Sequence, residues 1–328
     1  DLLIDLSQKP LVLDRKQNGA PLIGRQFISV NACGLANSGK TCYLFPGNSY
    51  YLDFDGAVIA RADTLRQGLY FWQRRGGPLS PEPAEAEWLA EALTLGTRLF
   101  LEQIRAKRAV IGISGGIDSA LAACIYSRAL GADNVYLISM PGQFNSPLTR
   151  ELAVGMARGL HTPFSEIAVE ADVAALIRNL GGHPFTRAGG PETRMEIDSA
   201  ARENIYARDR ARILAAAAAS LGGVFTCNSN KAECAVGYST FYGDLAGAFA
   251  AQADLWKFQV YKASAWMQKL FPEAPLSRIA AIRPSAELSA AQDITKGLGD
   301  PLIYKYHDYL LRFWVEQGQD LSVTLRLY

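Results

Sequence analysis

Short apolar runs alternate with stretches of helical spacing between residues 109 and 227, and this is the dominant pattern of the chain. The runs predict strands at 109–113, 135–139, 165–169 and Gly223–Cys227. The intervening stretches predict helices at 118–130, 148–160, 171–180 and about 198–221. Because such alternation is typical of a parallel sheet with helices on both faces, we predict an α/β fold with a doubly wound parallel sheet. Ligands of such sheets bind at the carboxyl ends of the strands, where Ser114, Met140 and Cys227 fall.

The first 75 residues have a different pattern, in which apolar runs are separated by turn signals. The runs predict strands at Leu2–Leu6, Phe27–Ala32, Cys42–Phe45, Tyr50–Phe54 and Ala57–Ala60. A proline- and glycine-rich linker follows at 76–86, and helical spacing begins at about Glu87 and ends at about Lys107. We therefore predict a β-rich segment over 1–75, a linker over 76–86 and a second domain over 87–328. The irregular stretch from Pro284 to Tyr306 is a candidate lid.

Composition limits the classes of function. The 328 residues include 49% hydrophobic and 20% charged residues, as in an ordinary globular protein. A net charge of +1 gives no support for nucleic-acid or membrane-surface partners. No apolar run approaches bilayer-spanning length, and the acidic start does not resemble a signal peptide. The five cysteines lack C-x-x-C spacing and are interpreted as reduced thiols, so we expect a cytoplasmic protein.

The clearest functional signal is the segment from Ser114 to Ser119, Ser-Gly-Gly-Ile-Asp-Ser, which follows a predicted strand and begins a predicted helix. Backbone N–H groups can approach phosphate oxygens where Gly115 and Gly116 carry no Cβ, and the helix dipole favours negative charge there. The hydroxyls of Ser114 and Ser119 add donors, and Asp118 offers an oxygen ligand to magnesium. This pattern predicts a loop that binds the pyrophosphate of ATP.

Two other motifs compete with this interpretation. Gly112–Gly116 matches the nucleophile elbow of serine hydrolases, with Ser114 as nucleophile. That chemistry needs a histidine, and His161, His183 and His307 lie in no obvious catalytic surround. Gly34–Thr41 matches the phosphate-binding pattern that must begin a helix. The residues after Thr41 predict strand, turn and strand instead, so we interpret Lys40 as an exposed lysine of a β-hairpin.

Four further segments, in this order along the chain, narrow the set of families that the loop alone would allow. They are Met140–Ser146, Glu203–Arg208, Asn230–Asp244 and Pro284–Leu288. Together with the Ser114–Ser119 loop they resemble the NAD synthetases, over about residues 85–316. The resemblance implies a fold like that of the ATP pyrophosphatases (adenine nucleotide alpha hydrolases). It implies an enzyme that amidates deamido-NAD with ATP and ammonia, through an adenylate, releasing AMP and pyrophosphate. Residues 1–75 resemble the later part of a nitrilase-like glutaminase domain, through Val30-Asn31 and Phe45–Ser49.

The resemblance also implies roles for individual residues. The expected ATP-binding residues are Ser114, Gly115, Gly116, Ile117, Asp118, Ser119, Met140, Asn228, Lys257 and Ser285. The expected deamido-NAD-binding residues are Asn204, Arg208, Glu233, Tyr238, Ser239, Thr240, Phe241 and Asp244. Asp118 and Glu233 are the expected Mg²⁺ ligands, and with Lys257 they are the expected catalytic residues. Met140, Tyr238 and Phe241 are equally consistent with packing roles. For Arg208 the binding role is favoured over a solvated helix face, because the whole Asn204–Arg208 spacing matches. A homo-oligomer is expected.

The chain departs from the family at two places. Asn228 stands where many relatives have a threonine that contacts ATP, and an amide can still donate a hydrogen bond there. Neither Cys33 nor Cys42 is followed by the acidic residues usual after a nitrilase nucleophile, and 75 residues are too few for that whole domain. We therefore expect that these residues alone do not hydrolyse glutamine. The ammonia then comes either from glutamine in a longer chain or from free ammonia.

Three rival functions remain open at this stage. The first is a serine or amide hydrolase that uses Ser114 or the front segment. The second is a non-catalytic nucleotide-binding module. The third is a different ATP pyrophosphatase resembling GMP synthetase, which the Asn204–Arg208 and Asn230–Asp244 segments do not support.

Overall fold

A computed structural model describes residues 2–12, 24–39, 41–73, 75–289, 292–320 and 322. The chain forms two compact units, of which the first ends at Arg105 and the second begins at Ala106. The predicted boundaries at 75 and 86 remain a prediction about domain organisation. Among the described residues, every helix is too short or too polar to cross a membrane.

The first unit contains a mixed four-stranded sheet and a separate hairpin. The sheet has the order β1-β2-β5-β6, with β1 (Leu2–Ser7) parallel to β2 (Gln26–Asn31), and β5 (Tyr50–Leu52) antiparallel to both β2 and β6 (Val58–Arg61). The hairpin pairs β3 (Cys33–Asn37) with β4 (Cys42–Pro46), and helix α1 (Glu85–Gln103) packs against it. Gly34–Thr41 therefore covers most of β3 and the connection to β4 and begins no helix, which confirms the predicted strand after Thr41. Lys40 itself lies outside the described residues.

The second unit is built on a parallel sheet with the order β12-β7-β8-β9. Its strands are β7 (Ala109–Gly112), β8 (Val135–Ser139), β9 (Phe164–Glu166) and β12 (Val224–Phe225). Since β8 and β12 flank β7 on opposite sides, the strand order reverses at β7, and the predicted doubly wound sheet is confirmed. Between β9 and β12 the short strands β10 (Pro184–Phe185) and β11 (Thr193–Arg194) form an exposed hairpin.

Helices cover this sheet and extend beyond it. They are α2 (Ile117–Leu130), α3 (Pro147–Leu160), α4 (Glu170–Leu180), α5 (Ser199–Ser220), α6 (Lys231–Val236), α7 (Lys257–Leu270), α8 (Leu276–Ala280) and α9 (Tyr304–Leu311). The core lies under α5, where Val110 and Ile138 pack against Leu214 and Ala218. Val110 is completely buried. Such burial explains why the strand is uniformly apolar rather than alternating.

In the second unit, two predicted strands end two or three residues before the expected position. The third, expected to reach residue 169, ends at Glu166 because Val169 instead precedes α4 and packs beside Tyr206. The fourth, expected to reach Cys227, ends at Phe225. After Phe225 the backbone leaves the sheet, and the Cys227 N–H donates to the carbonyl of Phe249 instead. The stretch after Pro284 is irregular as expected, but helix α9 begins within it at Tyr304.

Candidate active site at the carboxyl ends of the strands

A cavity of about 480 Å³ opens at the carboxyl ends of β7, β8 and β12. This volume lies within the usual range for small-molecule sites. Of the residues predicted from the sequence, the cavity is lined by Ser114, Gly115, Gly116, Ile117, Asp118, Ser119, Met140, Asn204, Asn228, Glu233, Tyr238, Ser239, Thr240, Asp244, Lys257 and Ser285. Arg208 and Phe241 are the predicted residues that do not line it.

The Ser114–Ser119 loop is held by hydrogen bonds among its own members. The Ser114 and Ser119 hydroxyls lie 3.0 Å apart, and the Ser119 hydroxyl accepts from the Ser114 N–H at 3.2 Å. The Gly116 N–H donates to the Ser114 hydroxyl at 3.1 Å. Both serine side chains are therefore fixed at the end of β7, where they face the cavity.

Gly115 is required by the shape of this loop. Its φ is +82°, in the left-handed region, and a Cβ there would lie 2.1 Å from the carbonyl oxygen of Thr149. Gly116, the next residue, is the N-cap of α2 and contributes no capping side chain. The positive end of the helix dipole therefore faces the cavity through a wall with little side-chain bulk, a favourable surround for an anion.

Asp118, Glu233 and Lys257 form a charged cluster beside the loop. The Lys257 ammonium lies 2.5 Å from Asp118 Oδ2 and 3.6 Å from Glu233 Oε1. The Lys257 side chain is only 2% exposed, and its ammonium also lies 4.7 Å from the centre of the Tyr304 ring. Sequence reasoning placed these residues, 139 positions apart at the extremes, in one site, and the structure brings them together.

Burial and the neighbouring charges shift the pKa values of Glu233 and Lys257. Burial, reinforced by the nearby Asp118 carboxylate, raises the pKa of Glu233, although Lys257 acts in the opposite direction. Burial lowers the pKa of Lys257, but the charges of Asp118 and Glu233 outweigh it and raise that pKa above its ordinary value. Lys257 is thus a permanent cation at neutral pH, suited to oppose phosphate charge.

Asn230 connects the cluster to helix α6. Its side-chain oxygen accepts from the Glu233 N–H at 3.1 Å, while Glu233 Oε2 accepts from the Asn230 N–H at 3.3 Å. This reciprocal capping box is encoded locally by the Asn-x-x-Glu spacing. Asn230 Nδ2 also donates to Asp118 Oδ1 at 2.9 Å. One helix cap therefore orients both carboxylates.

Most of the residues predicted to bind deamido-NAD line the cavity, and some of them are held by hydrogen bonds. Tyr238 donates to Asp300 Oδ1 at 3.1 Å, and the Thr240 N–H donates to Asp244 Oδ1 at 2.8 Å. Arg208 is exposed and donates to the Phe241 carbonyl at 3.1 Å, while the Phe241 ring is 73% exposed. Phe241 is therefore not a core aromatic. Arg208 and Phe241 lie outside the cavity, and their binding roles remain predictions.

Similarity to known proteins agrees with this geometry. The family model described as NAD synthase matches residues 89–326. The chain belongs to the NAD synthase family. It is 30% identical over 294 residues to the glutamine-dependent NAD(+) synthetase of Acinetobacter baylyi, covering 87% of this chain and 52% of that protein. It is 34% identical over 250 residues to the Aquifex aeolicus protein of that name, covering 76% of this chain and 42% of that protein.

A solved member of the NAD synthase family has the same fold. The glutamine-dependent NAD+ synthetase from Acinetobacter baumannii, in complex with ADP, superimposes with a TM-score of 0.74 at 24% identity. The match covers 100% of this chain and 59% of that structure. The chain thus spans about half the length of the curated relatives it matches. The family assignment removes the rival that resembles GMP synthetase.

Sequence reasoning missed three polar residues of this NAD synthase site. Glu287, 4% exposed, accepts from the Ser146 N–H, Asn145 Nδ2 and the Thr149 hydroxyl at 2.7–3.1 Å. Asp300 accepts from the hydroxyls of Tyr238 and Tyr304 and from the Ala286 N–H. Arg210 donates to the Met140 carbonyl and to Asn145 Oδ1, both at 3.2 Å.

The signals for these residues differ in strength. Glu287 belongs to the Pro284–Leu288 motif, so a functional role for it could have been inferred from the sequence. Arg210 follows Arg208 by two positions on α5, and only the fold shows that Arg210 lines the cavity whereas Arg208 does not. Nothing local in the sequence distinguishes Asp300 from a surface acid. Met140 both lines the cavity and packs in the Val110 core cluster, so its two interpretations are compatible.

Proposed function

We propose that this protein converts deamido-NAD to NAD, using ATP and ammonia and releasing AMP and pyrophosphate. The nicotinate carboxylate is a poor electrophile, and attack on the α-phosphate of ATP turns it into a mixed anhydride with AMP. Ammonia then displaces AMP. Negative charge accumulates on the departing pyrophosphate, so fixed N–H donors and a cation beside it lower the barrier.

One observation carries this proposal: the anion-binding loop and the buried Lys257 line the same cavity. We assign Ser114, Gly115, Gly116 and Ser119 to the pyrophosphate. Lys257 is assigned to the phosphate charge. Support comes from the family match and from the ADP bound to the Acinetobacter baumannii relative. Deamido-NAD is assigned to the wall that contains Asn204, Tyr238, Ser239, Thr240 and Asp244.

Magnesium is part of the proposal. Asp118 and Glu233 supply hard carboxylate oxygens at the cavity wall, and Mg²⁺ is commonly held by one or two carboxylates together with substrate phosphates. Within the described residues no group of three or more His, Cys, Asp or Glu side chains could hold a metal alone. This donor set fits an ion that arrives with ATP. A bound Mg²⁺ would supply positive charge to oppose the phosphates, and Lys257 would add to it from beside Asp118 and Glu233.

The test is a product analysis. Incubation of the protein with ATP, Mg²⁺, deamido-NAD and ammonium should yield NAD, AMP and pyrophosphate in equal amounts. Asp118→Asn should lower kcat at least about 100-fold, because it removes the carboxylate that faces Lys257. Formation of ADP, or of phosphate without AMP, would contradict the adenylate route. ATP binding without pyrophosphate release would favour the non-catalytic module instead.

Ammonium is the nitrogen source that the described residues support. Cys33 and Cys42 lie in hairpin strands, and burial raises the pKa of both thiols, opposite to the shift that activates a nucleophilic cysteine. Replacing ammonium by glutamine should therefore abolish NAD formation by this chain alone. NAD formation from glutamine, lost in Cys33→Ser or Cys42→Ser, would overturn this expectation.

The serine hydrolase alternative finds no support in the geometry. The Ser114 hydroxyl is bonded to Ser119 and Gly116, and none of the three histidines, all within the described part of the chain, lines the cavity. Failure of a fluorophosphonate probe to label Ser114 would remove this alternative. The homo-oligomeric state and the cytoplasmic location remain predictions.

A further inference from the structure

The sheet divides where β12 leaves β7, and one side chain bridges the gap. The Val224 N–H donates to the Arg108 carbonyl and the Thr226 N–H donates to the Val110 carbonyl. In a regular parallel ladder the next bond would join the Asn228 N–H to the Gly112 carbonyl. Here Asn228 Nδ2 makes that bond, at 3.2 Å. The side chain thus extends the ladder by one step while the backbone turns away and opens the cavity.

The remaining polar atom of the Asn228 side chain is also occupied within the protein. Its Oδ1 accepts from the Thr226 hydroxyl at 2.8 Å. The carboxamide therefore links Gly112, the last residue of β7, to Thr226, the residue directly after β12. A side chain used in this way fixes the start of the Ser114–Ser119 loop, which begins two residues after Gly112.

A second side-chain amide stabilises the same junction between β7 and β12. Gln252 is completely buried, and its Nε2 donates to the carbonyl of Asn228 and, at 3.1 Å, to the carbonyl of Asp118. Its Oε1 is buried without a hydrogen-bond partner in the described part of the chain. Burying an amide oxygen without a hydrogen bond costs free energy. We therefore infer that the two hydrogen bonds donated by Gln252 Nε2 are what this residue contributes here.

We propose that Asn228 and Gln252 together form an amide clamp that positions the Ser114–Ser119 loop and Asp118, and that Asn228 is a positioning residue rather than an ATP contact. The clamp joins the ends of β7 and β12 to the first turn of α2. Its consequence for turnover rests on the proposed function, whereas its effect on the loop does not. A displaced loop would misplace the donors that face the phosphates, which is costly even for small shifts.

The first test needs no substrate. Amide hydrogen exchange is followed for peptides that cover residues 112–119 in the wild type, Asn228→Ala and Gln252→Met. We expect exchange there to accelerate at least about tenfold in both variants, because each removes bonds that hold the loop. Gln268→Met is the matched control: Gln268 also donates to several carbonyls, those of Phe271, Pro272 and Ala274, but it does not line the cavity. Unchanged exchange in the two clamp variants would overturn the proposal.

The second test separates a clamp from an ATP contact. Asn228→Thr keeps a hydroxyl donor for a nucleotide but is too short to reach Gly112. We expect it to match Asn228→Ala, with kcat/KM for ATP in the ammonium reaction lowered about 10- to 100-fold. The double variant Asn228→Ala/Gln252→Met should have a kcat/KM for ATP no lower than that of the less active single variant. Gln268→Met should lower thermal stability and leave the kinetics unchanged.

Three kinetic results would overturn the clamp. They are full activity in Asn228→Thr, effects of Asn228 and Gln252 that multiply, and wild-type kinetics in every variant. A wild-type chain that makes no AMP refutes the proposed function instead, and the exchange measurement then still decides whether the clamp exists.

Discussion

Two sides of the cavity are held in opposite ways. The hydrogen bonds among the members of the Ser114–Ser119 loop join residues at most five positions apart, and the longer bonds from Asn228 and Gln252 act at its ends. On the other side, the 284–300 loop, described except for residues 290 and 291, is attached through buried carboxylates. Glu287 bonds to residues 138–142 positions away, and Asp300 bonds to Tyr238, 62 positions away.

This difference explains why one side could be inferred from the sequence and the other could not. Local hydrogen bonds follow from a short motif, since glycine and serine at fixed spacing specify the turn. Long-range attachment depends on which elements the fold brings together. The comparison predicts that the first side is sensitive to backbone shape and the second to the loss of single side-chain acceptors.

The largest effect on stability is expected at Lys257, the buried cation beside the Ser114–Ser119 loop. Lys257→Met removes the ammonium beside Asp118 and Glu233 and leaves buried carboxylates without a counterion. The free energy of unfolding should fall by about 3 to 5 kcal/mol, measured by urea denaturation at pH 7. Lys296→Met, which disrupts a surface pair whose lysine is 68% exposed, should cost at most about 1 kcal/mol. Equal effects in the two variants would contradict the assigned burial.

A glycine pair tests backbone shape directly. Gly115→Ala and Gly131→Ala both place a Cβ on a left-handed backbone, at φ +82° and +83°. Only the Cβ at 115 meets another atom, the Thr149 carbonyl oxygen at 2.1 Å, whereas nothing lies within 4 Å of the one at 131. We expect losses of about 2 to 5 kcal/mol at 115 and about 1 to 2 kcal/mol at 131, with ATP binding lost only at 115. Intact ATP binding in Gly115→Ala would break the comparison.

Glu287→Gln tests the attachment of the 284–300 loop. The substitution keeps the volume but turns one acceptor oxygen into a donor facing donors. A loss of about 1 to 3 kcal/mol is expected, with a raised KM for ATP, because the Thr149 segment that contacts Gly115 shifts with it. Glu151→Gln, at an exposed ion pair with Arg278, should change neither quantity measurably. A normal KM in Glu287→Gln would show that the loop is not held by this carboxylate.

The smallest effect concerns pH and helix α9. Burial raises the pKa of Asp308 to about 6, although the hydrogen bond from the Phe258 N–H lowers it. The folded state therefore holds this proton more tightly than the unfolded chain, so the contribution is full below pH 4 and is lost as pH rises through about 6. Asp308→Asn keeps an acceptor for Phe258 and should become more stable relative to the wild type between pH 4.5 and 7. Urea titrations at both pH values measure this, and parallel curves would refute it.

Much of the fold followed from local pattern. The uniformly apolar strand β7 and the turn of small residues after it are local sequence patterns, and a helix satisfies most of its backbone hydrogen bonds within itself, so the positions of these elements were predictable to within a few residues. The strand ends were not. The sequence pattern predicts strand at Val169 and Cys227. In the structure Val169 is the N-cap of α4, and the Cys227 N–H donates to the Phe249 carbonyl.

The sequence by itself determined the α/β class, the position of the Ser114–Ser119 loop and a set of site residues of which all but Arg208 and Phe241 line the cavity, because a family motif and a helix cap are local arrangements. Only the tertiary structure decided that Arg210 rather than Arg208 lines the cavity, that Glu287 and Asp300 attach the 284–300 loop, and that Asn228 bonds to Gly112. Those outcomes depend on bonds between residues far apart in the chain. Such bonds exist only once the sheet has brought the strand ends together.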